Sequence, residues 1–196
     1  MNRIPRCNMD TLFPVILSVP ENKQKLRGRE RVAFLSRFAR RAVEQSSQKI
    51  GVHLDPLKKD EKGAPLPSGG VYWSISHKPE YVTGVVSLGK VGIDIEKIRP
   101  YSDGLEKKVA DIKEWKLDTR DRSELLFRYW TAKEAVLKAE GMGLSGLSDC
   151  KIIKIIDETN LIVSFRNRNR LIEHLFFKNH VAAIVKDTYR VEWTIQ

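Results

Sequence analysis

Apolar residues recur at two different spacings along the chain, and the spacing separates predicted helices from predicted strands. Between residues 27 and 48 they recur every three or four positions, which predicts a helix with one buried stripe. A second helix is predicted over 122–140, and Gly141 is a plausible stop for it. The stripe of the first helix is expected to hold Val32, Leu35, Phe38, Ala39, Ala42 and Val43.

Shorter apolar runs predict strands in both halves of the chain. Gly89 and Lys90 separate two of these runs and suit a tight hairpin between them. The stretch 51–70 is rich in Pro and Gly and predicts an ordered loop, whereas 102–121 predicts a short helix plus a linker. The predicted strands are 12–19, 71–76, 81–88, 91–98, 151–156, 161–165, 175–178, 181–186 and 190–194.

The two halves of the chain share a faint internal repeat. Ala39-Arg-Arg-Ala-Val in the first helix matches Ala132-Lys-Glu-Ala-Val in the second, and strands follow each helix. This pattern predicts an α+β fold of two similar lobes, residues 1–98 and 99–196, with a cleft between them.

Composition excludes several classes of protein. With 41% apolar and 31% charged residues, the 196-residue chain is an ordinary globular sequence and not a disordered one. Two cysteines and four histidines form neither a disulfide framework nor a four-cysteine zinc site. Arg3 and Arg6 precede the apolar run 12–19 as in a signal peptide, but Asp10 and Pro14 interrupt the pattern. We therefore expect a cytoplasmic protein without a transmembrane helix.

The net charge of +10 favours anionic partners: nucleic acids, phosphorylated small molecules or acidic proteins. Residues 21–50 hold nine Lys or Arg against three Glu, and so contribute +6 of that charge. The alternative interpretation of this charge run is a solvated helix face.

Two acidic residues lie two positions apart in Val91-Gly-Ile-Asp-Ile-Glu96. Residues two apart in a strand point to the same face, so Asp94 and Glu96 should project together while Ile93 and Ile95 enter the core. Adjacent carboxylates repel each other unless a cation lies between them, and oxygen ligands suit Mg²⁺. The alternative is an edge strand with solvated acids.

Two further segments carry polar groups at informative spacings. Glu134 and Lys138 lie four apart on one helix face, which alone would indicate an ordinary ion pair. Ser74 and Ser76 share one strand face that His77 closes. Because no nucleophile elbow is present, a hydrogen-bonded strand end or a polar clamp for phosphate explains these residues better than a hydrolase.

Together, these segments resemble the 4′-phosphopantetheinyl transferases of the long, pseudo-dimeric Sfp-type branch. The upstream WSISHKPEYV, the strand VGIDIEKIRP and the helix segment WTAKEAVLKAEGMGLS occur in the family's order and approximate spacing. The resemblance implies two α+β lobes with coenzyme A bound in the cleft between them. It also implies an enzyme that moves phosphopantetheine from coenzyme A to a serine hydroxyl of an acyl or peptidyl carrier protein. Adenosine 3′,5′-bisphosphate would be the second product, and we expect a monomer.

The resemblance also implies roles for individual residues. By motif match, Asp94, Glu96 and Glu134 would hold Mg²⁺, or Mn²⁺ in its place, with the pyrophosphate. Glu134 and Lys138 are the implied catalytic residues, and either Glu134 or a metal-bound water would take the serine proton. The implied coenzyme A-binding residues are Arg31, Lys62, Ser76, His77 and Lys138.

The sequence departs from the family pattern at three places. The stretch between the first strand and the first helix is short, so we expect the N-terminal lobe to lack a helix that longer members have. Ala64 stands where members often carry a phosphate-binding lysine, and Lys62 is a candidate substitute. Residues 101–121 lack the Phe-Phe-rich segment of a region that normally contributes to carrier docking, so the carrier stays open.

An apolar stripe at spacings of four and three runs through this linker at Leu105, Val109 and Ile112. We expect at least one of these side chains to be exposed and to contact the carrier. The alternative is that the stripe packs on the protein's own core.

Two rival functions are open. A nucleic-acid-binding protein would explain the charge and the run Arg166-Asn-Arg-Asn-Arg170, but Asp94, Glu96 and Glu134 would repel phosphates without a metal. A family member without activity is the second rival. The complete acidic set and Lys138 argue against it, whereas Ala64 favours it.

Overall fold

In a computed structural model of the protein, residues 10–61 and 63–196 are described, so Lys62 lies outside the described residues. The strands within these ranges are β1 (Thr11–Leu12), β2 (Val15–Ser18), β3 (Tyr72–His77), β4 (Tyr81–Ser87), β5 (Ile93–Lys97), β6 (Cys150–Ile155), β7 (Asn160–Phe165), β8 (Arg168–Phe177), β9 (His180–Val185), β10 (Arg190–Val191) and β11 (Thr194–Ile195). The helices are α1 (Glu21–Gln24), α2 (Gly28–Ile50), α3 (Asp103–Val109), α4 (Ile112–Trp115) and α5 (Arg122–Ala139), with a 3₁₀ helix at Leu144–Asp149.

The strands form two main sheets, and one long helix packs on each. The first sheet has the order β11-β2-β4-β3, with β11 parallel to β2 and the other pairs antiparallel. The second sheet has the order β5-β9-β8-β7-β6 and is antiparallel throughout. Helix α2 packs on β2, β3 and β4, and α5 packs on β5 and β9. The α+β prediction is confirmed, while the division into two lobes at residue 98 and the cleft between them stay predictions.

Helix α2 buries most of its predicted stripe. Leu35, Ala39, Ala42 and Val43 are buried against the first sheet. The prediction for Val32 is wrong, because burial along α2 begins at Leu35 and Val32 is exposed.

The predicted hairpin at Gly89 and Lys90 is wrong. Strand β4 pairs with β2 and β3, whereas β5 enters the second sheet and pairs with β9. Side chains of both faces of β5 are buried, so this strand needs cover on two sides. Helix α5 packs on β5, and Ile93 and Ile95 pack with Val85 and Ile16 of the first sheet, a cover that a two-stranded hairpin with β4 lacks.

Each long helix lies against a glycine. A Cβ atom at Gly84 would come within 2.7 Å of the Val43 backbone nitrogen in α2. A Cβ atom at Gly92 would overlap the Ala135 carbonyl oxygen in α5. Gly92 therefore lets β5 approach α5 closely, and this contact brings the acidic residues of β5 beside that helix.

Two local features of the strands have simple causes. Pro14 separates β1 from β2 within the predicted strand 12–19, because proline has no N–H for a sheet ladder. The run 166–170, which supported the nucleic-acid rival, forms a turn at Arg166 and Asn167 followed by the start of β8. Both turn residues have positive φ, as in a tight hairpin.

The linker between the sheets folds as α3 and α4, in agreement with the predicted short helix. Val109 is only 1% exposed and packs in the core around α5. Its assignment to carrier docking is therefore wrong, because the apolar spacing serves the core at this position. Leu105 is half-buried, and Ile112 is 72% exposed.

Candidate active site

The acidic residues of β5 are buried where the free edges of the two sheets meet α5. Strand β3 is the last strand of the first sheet and β5 the last strand of the second. Asp94 and Glu96 are 5% and 7% exposed, and Ile93 and Ile95 are fully buried. Strand β5 is thus an edge strand, as the alternative interpretation expected, but its acids are buried and the prediction that they are solvated is wrong. Buried carboxylates need compensating groups, and these come from the surrounding elements.

Lys138 of α5 connects the two sheet edges. Its Nζ donates to Asp94 Oδ1 at 2.7 Å, to the Ile93 carbonyl at 3.1 Å and to the Ile75 carbonyl at 3.3 Å. An ammonium has three N–H donors, so all three are engaged. Lys138 thus pairs with Asp94 of β5 and not with Glu134, its neighbour one helical turn away.

The two serines of β3 fill the remaining gap between the edges. Ser76 Oγ donates to Asp94 Oδ1 at 2.7 Å, and Ser74 Oγ accepts from the Ile93 backbone N–H at 3.2 Å. The hydroxyls therefore hold β3 against β5. The predicted contact of Ser76 with coenzyme A stays a prediction.

Lys78 completes the charge pattern, although sequence reasoning missed it. It lies in the turn between β3 and β4, and its Nζ is 2.6 Å from Glu96 Oε1. Strand alternation does not predict where a turn side chain points, so the only available signal was its position directly after His77.

Four buried carboxylate oxygens lack a hydrogen-bond donor among the described residues. Three of them, Asp94 Oδ2, Glu96 Oε2 and Glu134 Oε1, come one from each predicted metal ligand, and the fourth, Glu80 Oε2, lies 3.6 Å from His180 Nε2. Unsatisfied buried acceptors are rare because each is costly, so a missing cation or donor is indicated. Hard oxygen donors of this kind suit Mg²⁺. Yet within 10–61 and 63–196, no three acidic, His or Cys side chains converge as a ready-made metal site. The oxygen donors are therefore of the kind that Mg²⁺ prefers, but they do not converge on one point among the described residues.

The electrostatics of this cluster differ from those of surface groups. Burial, and then the neighbouring Asp94 carboxylate, raise the pKa of Glu134 to about 7. Burial also raises the pKa of Glu96, although Lys78 opposes the shift. The pKa of His77 is lowered, first by burial and then by the ammonium groups of Lys138 and Lys78.

A cavity of about 490 Å³ opens beside the cluster, a size typical of small-molecule sites. Lys59 and Lys138 line it together with Glu134 and Ala64. Burial, the Arg40 guanidinium and the Lys138 ammonium lower the pKa of Lys59. Two ammonium groups thus line one cavity, and the Arg40 guanidinium lies close enough to act on one of them, a positive environment that favours an anion.

Lys59 was also missed by sequence reasoning. It forms an antiparallel bridge with Pro65, so the loop folds back and brings Lys59 near Ala64. Proline and glycine predicted the loop, but no local pattern predicts which loop residues face each other.

Other predicted residues lie elsewhere. Arg31 is half-buried in the first turn of α2 and is not among the described residues that line the cavity. Ile112 lines a separate surface depression with Trp115. The ligand roles of Arg31 and Lys62 and the docking role of Ile112 stay predictions.

The basic run at 166–170 is largely neutralised by acids. Arg166 Nε lies 3.0 Å from Asp149, and Arg170 contacts both Asp187 and Glu140. These pairs argue against the run as an open nucleic-acid surface.

In the part of the chain that the structure describes, the longer helices carry too many polar residues for any of them to span a bilayer.

Comparison with known proteins gives consistent matches. A sequence model of the 4′-phosphopantetheinyl transferase superfamily matches residues 90–191, just over half of the chain. The 4′-phosphopantetheinyl transferase HetI of Nostoc sp. is 32% identical over 117 residues, 53% of this chain and 49% of HetI. The 4′-phosphopantetheinyl transferase ffp of Bacillus subtilis is 26% identical over 125 residues, 62% of this chain and 50% of ffp. The 4′-phosphopantetheinyl transferase Sfp of Bacillus subtilis is 31% identical over 78 residues, 38% of this chain and 35% of Sfp. The matched part of this chain thus spans half or less of the length of these relatives.

Proposed function

Because this chain belongs to the 4′-phosphopantetheinyl transferase superfamily, we propose that it transfers phosphopantetheine from coenzyme A to a serine hydroxyl of an apo carrier protein. The observation that carries the proposal is a set of three carboxylates, two buried and one half-buried, that each have a buried unpartnered oxygen and lie by a cavity lined by two lysines. Carboxylates alone would repel a phosphorylated substrate. A cation bound between the carboxylates and the phosphates would remove this repulsion. All of these side chains come from one chain, and we therefore expect a monomer to be active.

Asp94, Glu96 and Glu134 would hold the Mg²⁺ ion. Each contributes one buried oxygen that accepts no hydrogen bond within the described ranges. When bound, Mg²⁺ would neutralise charge that builds up on the pyrophosphate as the bond to the leaving group breaks.

Lys59 would bind a phosphate of coenzyme A from the cavity side, and His77, which is not among the described residues that line the cavity, would bind another at the end of β3. Lys59 lines the cavity, and His77 lies half-buried among ammonium groups that hold its pKa down. A bound phosphate would reverse that effect on His77 and favour its protonated form. Lys138 already spends its three donors, so it positions Asp94 and would contact a phosphate only by exchanging one of these bonds.

Glu134 would accept the proton of the attacking serine. Glu134 lines the cavity, and its Oε1 accepts no hydrogen bond among the described residues, so this oxygen is available to a serine hydroxyl. The serine oxygen forms a bond to the phosphorus of the pantetheine phosphate, and the bridging bond to the other phosphate breaks. The electron pair of that bond leaves with adenosine 3′,5′-bisphosphate.

The test is the intact mass of several apo carrier proteins after incubation with the enzyme, Mg²⁺ and coenzyme A. We expect the mass of one phosphopantetheine group on a serine of at least one carrier, and no gain in EDTA. Glu134→Gln should abolish the gain. Glu124→Gln, which changes a more exposed glutamate of the same helix, is the matched control and should retain it. Absence of any gain with acyl and peptidyl carriers alike would contradict the proposal.

A further inference from the structure

Both carboxylates of β5 already face an ammonium group. Lys138 Nζ lies 2.7 Å from Asp94 Oδ1, and Lys78 Nζ lies 2.6 Å from Glu96 Oε1. In each carboxylate the second oxygen is buried and has no donor among the described residues. Each acid thus has partners on one oxygen only: Lys138 and Ser76 on Asp94, and Lys78 on Glu96.

The two lysines are held very differently. Lys138 donates to two backbone carbonyls as well as to Asp94, so its ammonium is anchored at three points. Lys78 lies in a turn, its side chain is 29% exposed, and Glu96 is the one partner recorded for its ammonium in the described structure. A long flexible stem that reaches water can therefore carry the Lys78 ammonium away by breaking a single ion pair.

We propose that Lys78 is an internal counter-ion of the metal site, which neutralises Glu96 in the metal-free protein and moves into solvent when a divalent cation binds. This inference rests on the proposed function, because the cation is the one assigned above to Asp94, Glu96 and Glu134. It also explains why these carboxylates do not converge among the described residues, since Lys78 and Lys138 each draw one of them to a separate ammonium.

The physical basis is competition for one buried carboxylate. Glu96 is 7% exposed, so an ammonium and a metal ion on it would repel each other with little screening by water. Lys78 must therefore weaken metal binding, and in return it keeps a buried acid paired when the metal is absent. Removal of Lys78 should therefore raise the affinity for the metal and lower the stability of the metal-free protein.

Lys97 provides a matched control. Its Nζ forms an ion pair of the same length, 2.6 Å, with Glu80, and it directly follows Glu96 in β5. Adjacent strand residues point to opposite faces, so Lys97 faces away from Glu96. Lys78→Met and Lys97→Met thus each remove one lysine from one ion pair, and only the first touches a proposed ligand.

The experiment measures the dissociation constants of Mg²⁺ and Mn²⁺ by titration calorimetry of the full chain, without coenzyme A. We expect Lys78→Met to bind both metals roughly five- to twentyfold more tightly than the wild type, and Lys97→Met to bind them like the wild type. Lys78→Arg retains a cation and should show no gain in affinity. Unchanged or weaker metal binding by Lys78→Met overturns the inference.

Thermal unfolding supplies a second readout. In EDTA, Lys78→Met should unfold at a lower temperature than the wild type, and saturating Mg²⁺ should raise its midpoint by more than it raises that of the wild type. If Lys78→Met does not fold in EDTA, then folding restored by Mg²⁺ supports the inference, and folding restored by neither metal overturns it. If the wild type itself binds no metal, the proposed metal site fails and the counter-ion role fails with it. If the wild type binds metal and Lys78→Met binds it with the same affinity, only the counter-ion role is refuted.

Discussion

Lys138→Met removes the ammonium that joins the two sheet edges, while it keeps a side chain of similar length. Three hydrogen bonds are lost, one to the Asp94 carboxylate and two to the carbonyls of Ile75 and Ile93. Asp94 is 5% exposed, so water does not readily replace the lost partner. The variant therefore tests whether Lys138 supports the fold or serves only a ligand.

The structure allows a magnitude for this loss. Removal of one partner from a fully buried ion pair costs about 3–5 kcal/mol. About a quarter of the Lys138 side chain is exposed, and water screens the pair in part. The loss of free energy should therefore lie at or below the lower end of that range. We expect the free energy of unfolding to fall by about 2–3 kcal/mol, which lowers Tm by roughly 4–12 °C in a chain of this size.

Urea unfolding of a double-mutant cycle measures the effect without coenzyme A. Asp94→Asn removes the charge that Lys138 compensates. The double variant should therefore lose less free energy of unfolding than the two single variants together, by about 1–2 kcal/mol. Lys90→Met breaks a longer, more exposed pair with Glu140 and should change stability by less than about 0.5 kcal/mol. If Lys138→Met is as stable as the wild type and only its affinity for coenzyme A falls, Lys138 is a phosphate ligand and the positioning role is refuted.

Four further predictions concern single side chains. Gly92→Ala should destabilise the protein by about 1–3 kcal/mol in urea unfolding because its Cβ would overlap α5, whereas Gly143→Ala, in open space, should be neutral. His77→Ala should weaken binding of coenzyme A more than that of dephospho-coenzyme A in calorimetry, and an equal loss for both would indicate a structural histidine. Ile112→Asp should raise the KM for the carrier severalfold with coenzyme A affinity unchanged, whereas Val109→Asp should unfold the protein, and a carrier KM unaffected by Ile112→Asp would place docking elsewhere. In EDTA, the folded protein keeps a proton on Glu134 up to about pH 7, whereas the unfolded chain releases it near 4.5. The free energy of unfolding should therefore fall as pH rises through this interval, and Glu134→Gln should flatten that decline.

Local periodicity was enough to predict which acidic side chains of the candidate site share a face. Strand alternation placed Asp94 and Glu96 on one face, and helical spacing placed Glu134 with Lys138, because both patterns depend only on neighbouring backbone geometry. The location of the site depended on strand pairing, which no local pattern sets. Strand β5 pairs with β9, more than eighty residues later, and the predicted hairpin failed at that point.

The sequence also did not predict which loop and turn residues reach the candidate site. Lys78 and Lys59 contribute charge to the site from a turn and a loop, where side-chain direction depends on tertiary contacts. The apolar spacing of the linker illustrates the same limit. It placed Leu105 and Val109 in one helix, but Ile112 belongs to the next helix, so Val109 enters the core while Ile112 reaches solvent.

The position of the site follows from a problem that the fold itself creates. Two sheets meet at β3 and β5 without pairing, so backbone groups of both edges need other partners. Side chains provide them, since Ser74 accepts from the Ile93 N–H and Lys138 donates to the Ile75 and Ile93 carbonyls. Polar residues at this junction are therefore required by the backbone before any ligand is considered. It follows that loss of activity in a Ser74 or Lys138 variant does not by itself identify a catalytic residue. The free energy of unfolding, measured beside the activity, separates the group that holds the edges together from the group that acts on the substrate.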